Sequence, residues 1–186
     1  MKAPRALHEL DDLRGRLLDE VRASPQHIRT AQAGTGDGWT AVQVLQHLLL
    51  VESLVLSGLD RDAGNDRRRR RRTVRDRVGG IAVSLVFLLR IRVRMPTRRV
   101  DPVPPLSFEE VEARWTTVGA ELGLRLREAA ALAPERAVMR HPVSGPLSPP
   151  DTAAFLLKHM RHHERQLHRI LAAGPPRPST EAAQGR

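Results

Sequence analysis

Residues 158–169 read Lys-His-Met-Arg-His-His-Glu-Arg-Gln-Leu-His-Arg and contain four of the eight histidines of the chain. His159 and His163 are four positions apart, so a helix places both imidazoles on one face. Apolar residues at helical spacing extend this face in both directions, which is typical of a helix packed inside a bundle. The stripe contains Leu156, His159, His163, Gln166 or Leu167, and Ile170. His162 lies to one side of it, and His168 lies on the polar face.

Two imidazoles on the core side of one helix need polar partners. Buried polar groups must be satisfied, and two neighbouring cations would repel each other. A divalent metal ion meets both conditions. The candidate third ligand is His47, which stands alone among apolar residues of another predicted helix. Three neutral imidazoles leave a fourth coordination position for water or substrate. A solvated histidine pair and a hydrogen-bonded core histidine remain the alternatives.

Three further segments have the period of amphipathic helices. The first carries a leucine stripe that ends at Val21, and the second runs over about 41–59 after a capping box of Thr40 and Gln43. The third begins after Ser107, which caps it together with Glu110, and ends before Pro134. The fourth helix is the one that carries the histidine pair, and it runs over about 149–172 after Ser148. Four long helices predict an all-α four-helix bundle.

Composition supports the helical class and excludes several kinds of chemistry. The chain has 186 residues, of which 40% are hydrophobic and only 3% aromatic, so the core consists mainly of Leu, Val and Ala. The chain has no cysteine, which excludes disulfides, thiolate nucleophiles, cysteine-ligated zinc and iron–sulfur clusters. A metal site must therefore use His, Asp or Glu, and thiol chemistry must use an external thiol. Residues 1–21 lack the apolar run of a signal peptide, so a cytoplasmic location is expected.

A basic segment interrupts the bundle between its second and third helices. Thirteen arginines and a single acid lie between Arg67 and Arg99, whereas the net charge of the whole chain is +10. Residues 81–89 are almost wholly apolar but too short to span a bilayer, which takes about 20 residues. We predict one domain over 1–174 with an insertion at about 65–105, followed by a disordered tail at 175–186. This segment suggests an alternative function. The protein would then be a non-catalytic module that binds an anionic membrane or nucleic acid through residues 67–99. Nucleic acid is the less expected partner, since the arginine bias also fits a GC-rich genome.

Three motifs resemble those of the DinB-like superfamily, also called DinB/YfiT-type proteins. The sequence Trp-Thr-Ala-Val-Gln-Val-Leu-Gln-His-Leu at 39–48 is similar to the signature of the family's second helix. The sequence Pro-Pro-Leu-Ser-Phe-Glu-Glu at 104–110 resembles the opening of its third helix. The sequence His-Pro-Val-Ser-Gly-Pro-Leu at 141–147, continuing to His159, His163 and Gln166, resembles the signature of its fourth helix. The resemblance extends from the first helix to about Leu171.

The resemblance implies a four-helix bundle in which His47, His159 and His163 bind a divalent metal, commonly zinc or nickel. Characterised members include S-transferases and isomerases that use low-molecular-weight thiols such as bacillithiol or mycothiol. It therefore implies a small-molecule substrate and a homodimer, and it does not imply DNA binding. No catalytic residue is assigned beyond the metal site.

Two reactions fit such a site. In the first, the metal lowers the pKa of an external thiol, which then attacks an electrophile. In the second, the metal activates water for hydrolysis, with Glu52 or Glu164 as candidate base. His141 is expected to brace the loop that precedes the fourth helix, and Trp39 and Trp115 are expected to anchor the core.

Overall fold

The computed structural model describes residues 3–32, 38–63, 100–141 and 145–173. This part of the chain is mostly helical and confirms the predicted all-α bundle. The elements in chain order are α1 (Ala3–Ala23), α2 (Gln26–Arg29), α3 (Ala41–Ala63), α4 (Phe108–Leu132), β1 (Met139–His141), β2 (Gly145–Leu147) and α5 (Pro149–Ala173). Helices α1, α3, α4 and α5 are the four predicted from the sequence. The short helix α2 and the strand pair were not predicted.

The four long helices enclose one apolar core. Helix α1 packs mainly against α5, and α3 packs mainly against α4. The leucine stripe predicted for the first helix is buried, and the stripe of α5 is buried along its whole length. Two polar contacts on the outside join α1 to α5, namely an ion pair between Arg161 and Glu9 and a hydrogen bond between His168 and Glu20. The largest fully buried side chain is Trp115 of α4, which confirms its predicted role as a core anchor.

The predicted capping boxes fix where two of the helices begin. The Gln43 backbone N–H donates to Thr40 Oγ1 at 3.1 Å, and the Thr40 N–H donates to Gln43 Oε1 at 2.9 Å. Ser107 and Glu110 form the same reciprocal pair before α4. Such pairs satisfy two of the backbone donors that a helix N-terminus leaves unpaired. The helix starts were therefore encoded locally.

Residues 100–107, here called the linker, precede α4 and lie along α3. The side-chain amide of Gln46 donates to the carbonyl of Pro104 at 2.8 Å, and its Oε1 accepts from the N–H of Leu106 at 3.0 Å. One helical turn earlier, Gln43 donates to the carbonyl of Pro102 at 3.4 Å. These contacts satisfy the linker's backbone groups, as the interior of a protein requires. They also place Val100, at the start of the linker, over α3.

Strands β1 and β2 form an antiparallel pair that leads the chain into α5. Met139 pairs with Leu147, and His141 pairs with Gly145. Gly145 has a φ of 70°, a left-handed conformation that glycine adopts without a Cβ clash. The sequence predicted a loop before the fourth helix, whereas the structure forms a strand pair there. Three-residue strands are too short for their alternation to be read from the sequence.

Helix α3 is unusually apolar. Its residues 41–59 have a mean hydropathy of 1.5 and meet the length and composition criteria of a membrane-spanning helix. More than half of this stretch is buried inside the bundle, however, and it carries the buried polar residues Gln46, His47 and Glu52. A central helix of a bundle contacts neighbours on several sides, so its apolar surface follows from its position in the core.

A buried ion pair crosses the core from α1 to α3. The guanidinium of Arg14 donates to Glu52 at 3.1 Å and to Asp11 at 2.7 Å. The side chains of Arg14 and Glu52 are only 8% and 3% exposed. Arg14 lies across α4 at Gly119, where an added Cβ would come within 2.2 Å of the guanidinium carbon. Burial raises the pKa of Glu52 to about 7, although the charge of Arg14 opposes the shift.

Several predictions concern residues outside the described part of the chain. The arginine-rich segment, its apolar stretch 81–89 and the tail 175–186 all lie there, so the proposed membrane contact and the disordered tail stay predictions. The predicted insertion at about 65–105 is described only from residue 100 onward. Helix α3, the second of the four predicted helices, ends at Ala63, a few residues beyond its predicted end.

We expect the replacement Glu52→Gln to change how stability depends on pH. An unfolded glutamate has a pKa near 4.5, so between pH 4.5 and 7 the folded protein keeps a proton that the unfolded chain releases. In this window Arg14 donates to a neutral carboxyl group, and the contact becomes an ion pair as the pH rises past about 7. Wild-type stability should therefore fall relative to Glu52→Gln as the pH rises through this window, by up to about 3 kcal/mol. Urea denaturation of both proteins at several pH values measures this difference. Glu128→Gln, at an exposed carboxylate of α4, is the control, and a difference that does not vary with pH would contradict the expectation.

Candidate metal centre

Three histidines from two helices that are distant in the sequence meet between α3 and α5. Helix α3 contributes His47, and α5 contributes His159 and His163. The candidate ligand nitrogens all lie within 4.8 Å of one another. Nε2 of His47 is 3.4 Å from Nε2 of His159, and the imidazole centroids are 4.6 to 5.3 Å apart. Among the described residues, this is the one group of three or more such side chains with metal-binding geometry.

The bundle interior encloses all three imidazoles. Their residues are 3%, 6% and 8% exposed, in the order His47, His159 and His163. The four-residue spacing on α5 places two of them on the buried face, as the sequence predicted. The packing of α3 against α5 brings the third to the same place. The structure therefore brings together the three histidines that the sequence suggested as ligands.

The orientation of His47 is set by a backbone carbonyl. Nδ1 of His47 lies 2.8 Å from the oxygen of Val100, at the start of the linker. A carbonyl oxygen can only accept a hydrogen bond, so Nδ1 carries the proton in the neutral ring. Nε2 therefore presents a lone pair, and it faces His159. Binding of the second ring nitrogen to a carbonyl is the usual arrangement behind a metal-bound histidine.

The electrostatics of the cluster keep the imidazoles neutral. Burial lowers the pKa of His47, lowers that of His163 to about 3, and lowers that of His159 well below its usual range. Each ring also repels a proton on its neighbours, which adds to the effect. The carboxylate of Asp101 and the carbonyl of Val100 partly offset the shift at His47. Neutral imidazole is the protonation state that binds metal ions.

The donor set fits a divalent transition metal. Two nitrogens bound to one tetrahedral zinc ion at the usual ~2.0–2.1 Å lie about 3.3 Å apart, which is close to the separation of the His47 and His159 nitrogens. Sites of imidazole alone suit zinc, nickel, copper and iron.

Aromatic rings surround the cluster. Trp39 lies with its ring centroid 5.1 Å from that of His47, and Phe155 stacks against His159 at 5.9 Å. Trp39 was predicted to be a core anchor, but it is only partly buried and contacts a histidine of the site. His141, on β1, packs against Phe155 with a centroid distance of 4.7 Å, and burial lowers its pKa. These three residues form the wall of the centre.

The remaining candidates lie outside this group. Glu52 was a candidate base, but the structure places it in the buried ion pair with Arg14. Glu164, the other candidate, is half-buried and does not belong to the group. The rings of His162 and His163 meet edge to face, with their centroids 5.2 Å apart. His168 is exposed, as its position on the polar face predicted, and contacts Glu20.

Sequence reasoning missed three partners of the site. Phe155 lies four residues before His159, so helical spacing alone could have placed it on the same face. The carbonyl of Val100 has no sequence signal, since every residue has one. Trp39 precedes the helix cap, and its position depends on the turn into α3.

Comparison with known proteins agrees with this description. The sequence model of the DinB superfamily matches residues 26–167, a span that includes all three histidines and most of the chain. No curated protein and no solved structure matches the chain.

We expect the metal-free protein to lose stability as the pH falls below 6.5, partly because of His163. An unfolded histidine binds a proton near pH 6.5, whereas folded His163 stays neutral down to about pH 3. The contribution of this residue is therefore present above pH 6.5 and is lost on acidification, at up to about 1.4 kcal/mol per pH unit. Urea denaturation in the presence of a chelator measures the free energy of unfolding of the metal-free protein. Between pH 6.5 and 4.5 this free energy should decline less steeply for His163→Gln than for the wild type. Parallel declines for the two proteins would contradict this expectation.

Proposed function

Because the chain belongs to the DinB superfamily, we propose that His47, His159 and His163 bind one divalent metal ion, zinc or nickel. We further propose that this centre is the active site of an enzyme that activates an external low-molecular-weight thiol, of the S-transferase or isomerase type. The superfamily is metal-binding. The observation that carries the proposal is the buried group of three imidazoles whose ligand nitrogens lie within 4.8 Å of one another.

The chain's own residues prepare the site for such a cofactor. The three histidines are neutral because they are buried and repel one another's protons, so they do not need to lose protons before they bind a cation. The carbonyl of Val100 orients His47, and the rings of Trp39 and Phe155 shield two of the histidines. A bound divalent cation supplies Lewis acidity, which lowers the pKa of a thiol or a water molecule at its open position.

Neither of the two carboxylates suggested by the sequence is placed to act as a general base, which supports a thiol rather than water as the nucleophile. Metal-dependent hydrolysis commonly uses a carboxylate as general base beside the metal. Of the two carboxylates that the sequence suggested for this role, Glu52 is held by Arg14 and Glu164 stands outside the histidine group. A thiolate attacks an electrophile directly, with the thiol proton released beforehand. The chain has no cysteine, so the thiol comes from a small molecule.

We expect the protein, purified without a histidine tag, to contain close to one equivalent of zinc or nickel. His47→Ala and the double variant His159→Ala/His163→Ala should each lose it, since both helices contribute ligands. His168→Ala is the matched control, because it removes an exposed histidine of the same helix and should keep the metal. Elemental analysis measures the content. Protein that stays metal-free after reconstitution, or variants that keep the metal, would refute the proposed site.

We expect the metal-loaded protein to catalyse transfer of a low-molecular-weight thiol to an electrophile. Bacillithiol, mycothiol, coenzyme A and glutathione, each with an aryl halide or a maleyl acid, form the test panel. The variant His159→Ala/His163→Ala should be slower by about 100-fold or more, since loss of an outer partner alone reduces activity 10- to 100-fold. Product formation is followed by chromatography. Turnover of esters or amides without any thiol would instead assign a hydrolase.

A further inference from the structure

We propose that Gln166 is a positioning residue that holds His163 in the one neutral tautomer able to bind a metal through Nε2. The inference rests on the proposed function of the centre. It concerns a residue whose side chain does not belong to the ligand group. Gln166 was placed on the buried stripe by its spacing, and the structure shows which atom it contacts.

The contact is short and enclosed. Oε1 of Gln166 lies 2.7 Å from Nδ1 of His163, one helical turn away on α5. The two residues are 6% and 8% exposed, and the apolar side chains of Leu167 and Ile170 are buried on the same face. A buried ring nitrogen needs a hydrogen-bond partner from the protein, and Gln166 supplies it here.

The direction of this hydrogen bond decides what His163 can do. A neutral imidazole has one N–H, so if Nδ1 donates to Oε1, Nε2 is left with a free lone pair. The opposite tautomer would carry its proton on Nε2, and that nitrogen could not bind a cation. The ring of His163 lies 4.7 Å from that of His47 and 4.6 Å from that of His159, so its free nitrogen belongs to the shared site.

His47 supports this assignment independently. Its Nδ1 contacts the carbonyl of Val100 at 2.8 Å, and a carbonyl can only accept. Ligands from two different helices thus have an acceptor oxygen behind Nδ1. The carbonyl of Val100 cannot be removed by a side-chain substitution, whereas the oxygen of Gln166 can. A side-chain amide also carries donors, so its role has to be tested by replacing it.

The first test does not depend on any metal. Long-range proton–nitrogen NMR of metal-free protein labelled with nitrogen-15 reports the tautomer of His163. We expect the Nδ1–H form in the wild type and in Gln166→Glu, whose carboxylate only accepts hydrogen bonds. We expect Gln166→Leu to shift the population toward Nε2–H. An Nε2–H tautomer in the wild type, or no change in Gln166→Leu, would overturn the proposal.

The second test measures zinc affinity by competition with a chromophoric chelator. We expect Gln166→Leu to bind zinc about 10- to 100-fold more weakly, and Gln166→Glu to keep the affinity within a few-fold of the wild type. The control is Thr152→Val, which removes a buried hydrogen bond of 2.9 Å from the Thr152 hydroxyl to the carbonyl of Ser148, at the N-terminal end of α5. It should leave zinc affinity unchanged.

The two tests separate the two proposals. If the wild type binds no metal, the proposed function fails, and the NMR measurement still decides whether Gln166 sets the tautomer. If the wild type binds zinc and Gln166→Leu binds it equally well, the positioning role is wrong and the metal site stands. A loss of affinity in Thr152→Val equal to that in Gln166→Leu would assign the effect to general destabilisation of α5 and would also overturn the proposal.

Discussion

The burial of three neutral imidazoles between α3 and α5 is the constraint on which the rest of the site depends. Polar rings inside an apolar bundle are unfavourable unless their nitrogens have partners. The chain provides a partner for Nδ1 of His47 and of His163, from Val100 and Gln166 respectively. The candidate ligand nitrogens of His47, His159 and His163 lie within 4.8 Å of one another, an arrangement that suits a cation.

Helix α3 connects the core, the linker and the candidate centre. One of its faces contributes apolar side chains to the core, while Gln43 and Gln46 hold the backbone of the linker. This attachment brings the carbonyl of Val100 to His47. A polar site in a helical bundle is therefore supported by residues that look, in the sequence, like ordinary helix and linker positions. The same residues that fix the path of the chain also orient a candidate ligand.

The second buried polar group of the core is the pair of Arg14 and Glu52. It lies across Gly119 of α4, where only a hydrogen leaves room for the guanidinium. Burial raises the pKa of Glu52, and Arg14 binds its carboxyl group, so Glu52 has a structural role. The arginine–glutamate pair and the histidine group are thus buried polar groups of different kinds. In the first, Arg14 and Glu52 satisfy each other. In the second, three neutral histidines bring their candidate ligand nitrogens within 4.8 Å of one another.

The four long helices can be predicted from the sequence alone, because periodicity and capping are local properties. The stripe of α5, the pairing of Thr40 with Gln43 and the position of His159 and His163 on one face all follow from residues within a few positions of one another. Helical spacing could also have identified Phe155. The motifs at 39–48, 104–110 and 141–147 indicated the family before the structure was known.

The contacts between distant groups follow from the packing of the helices and cannot be predicted from local sequence patterns. Val100 lies 53 positions from His47, and Glu52 lies 38 positions from Arg14. No local pattern links such residues, since their contact depends on how whole helices pack and where the linker crosses them. For this reason the sequence left Glu52 as a candidate base, and only the packed bundle showed it bound to arginine. The carbonyl behind His47 was likewise invisible, because every residue of the linker carries the same backbone group.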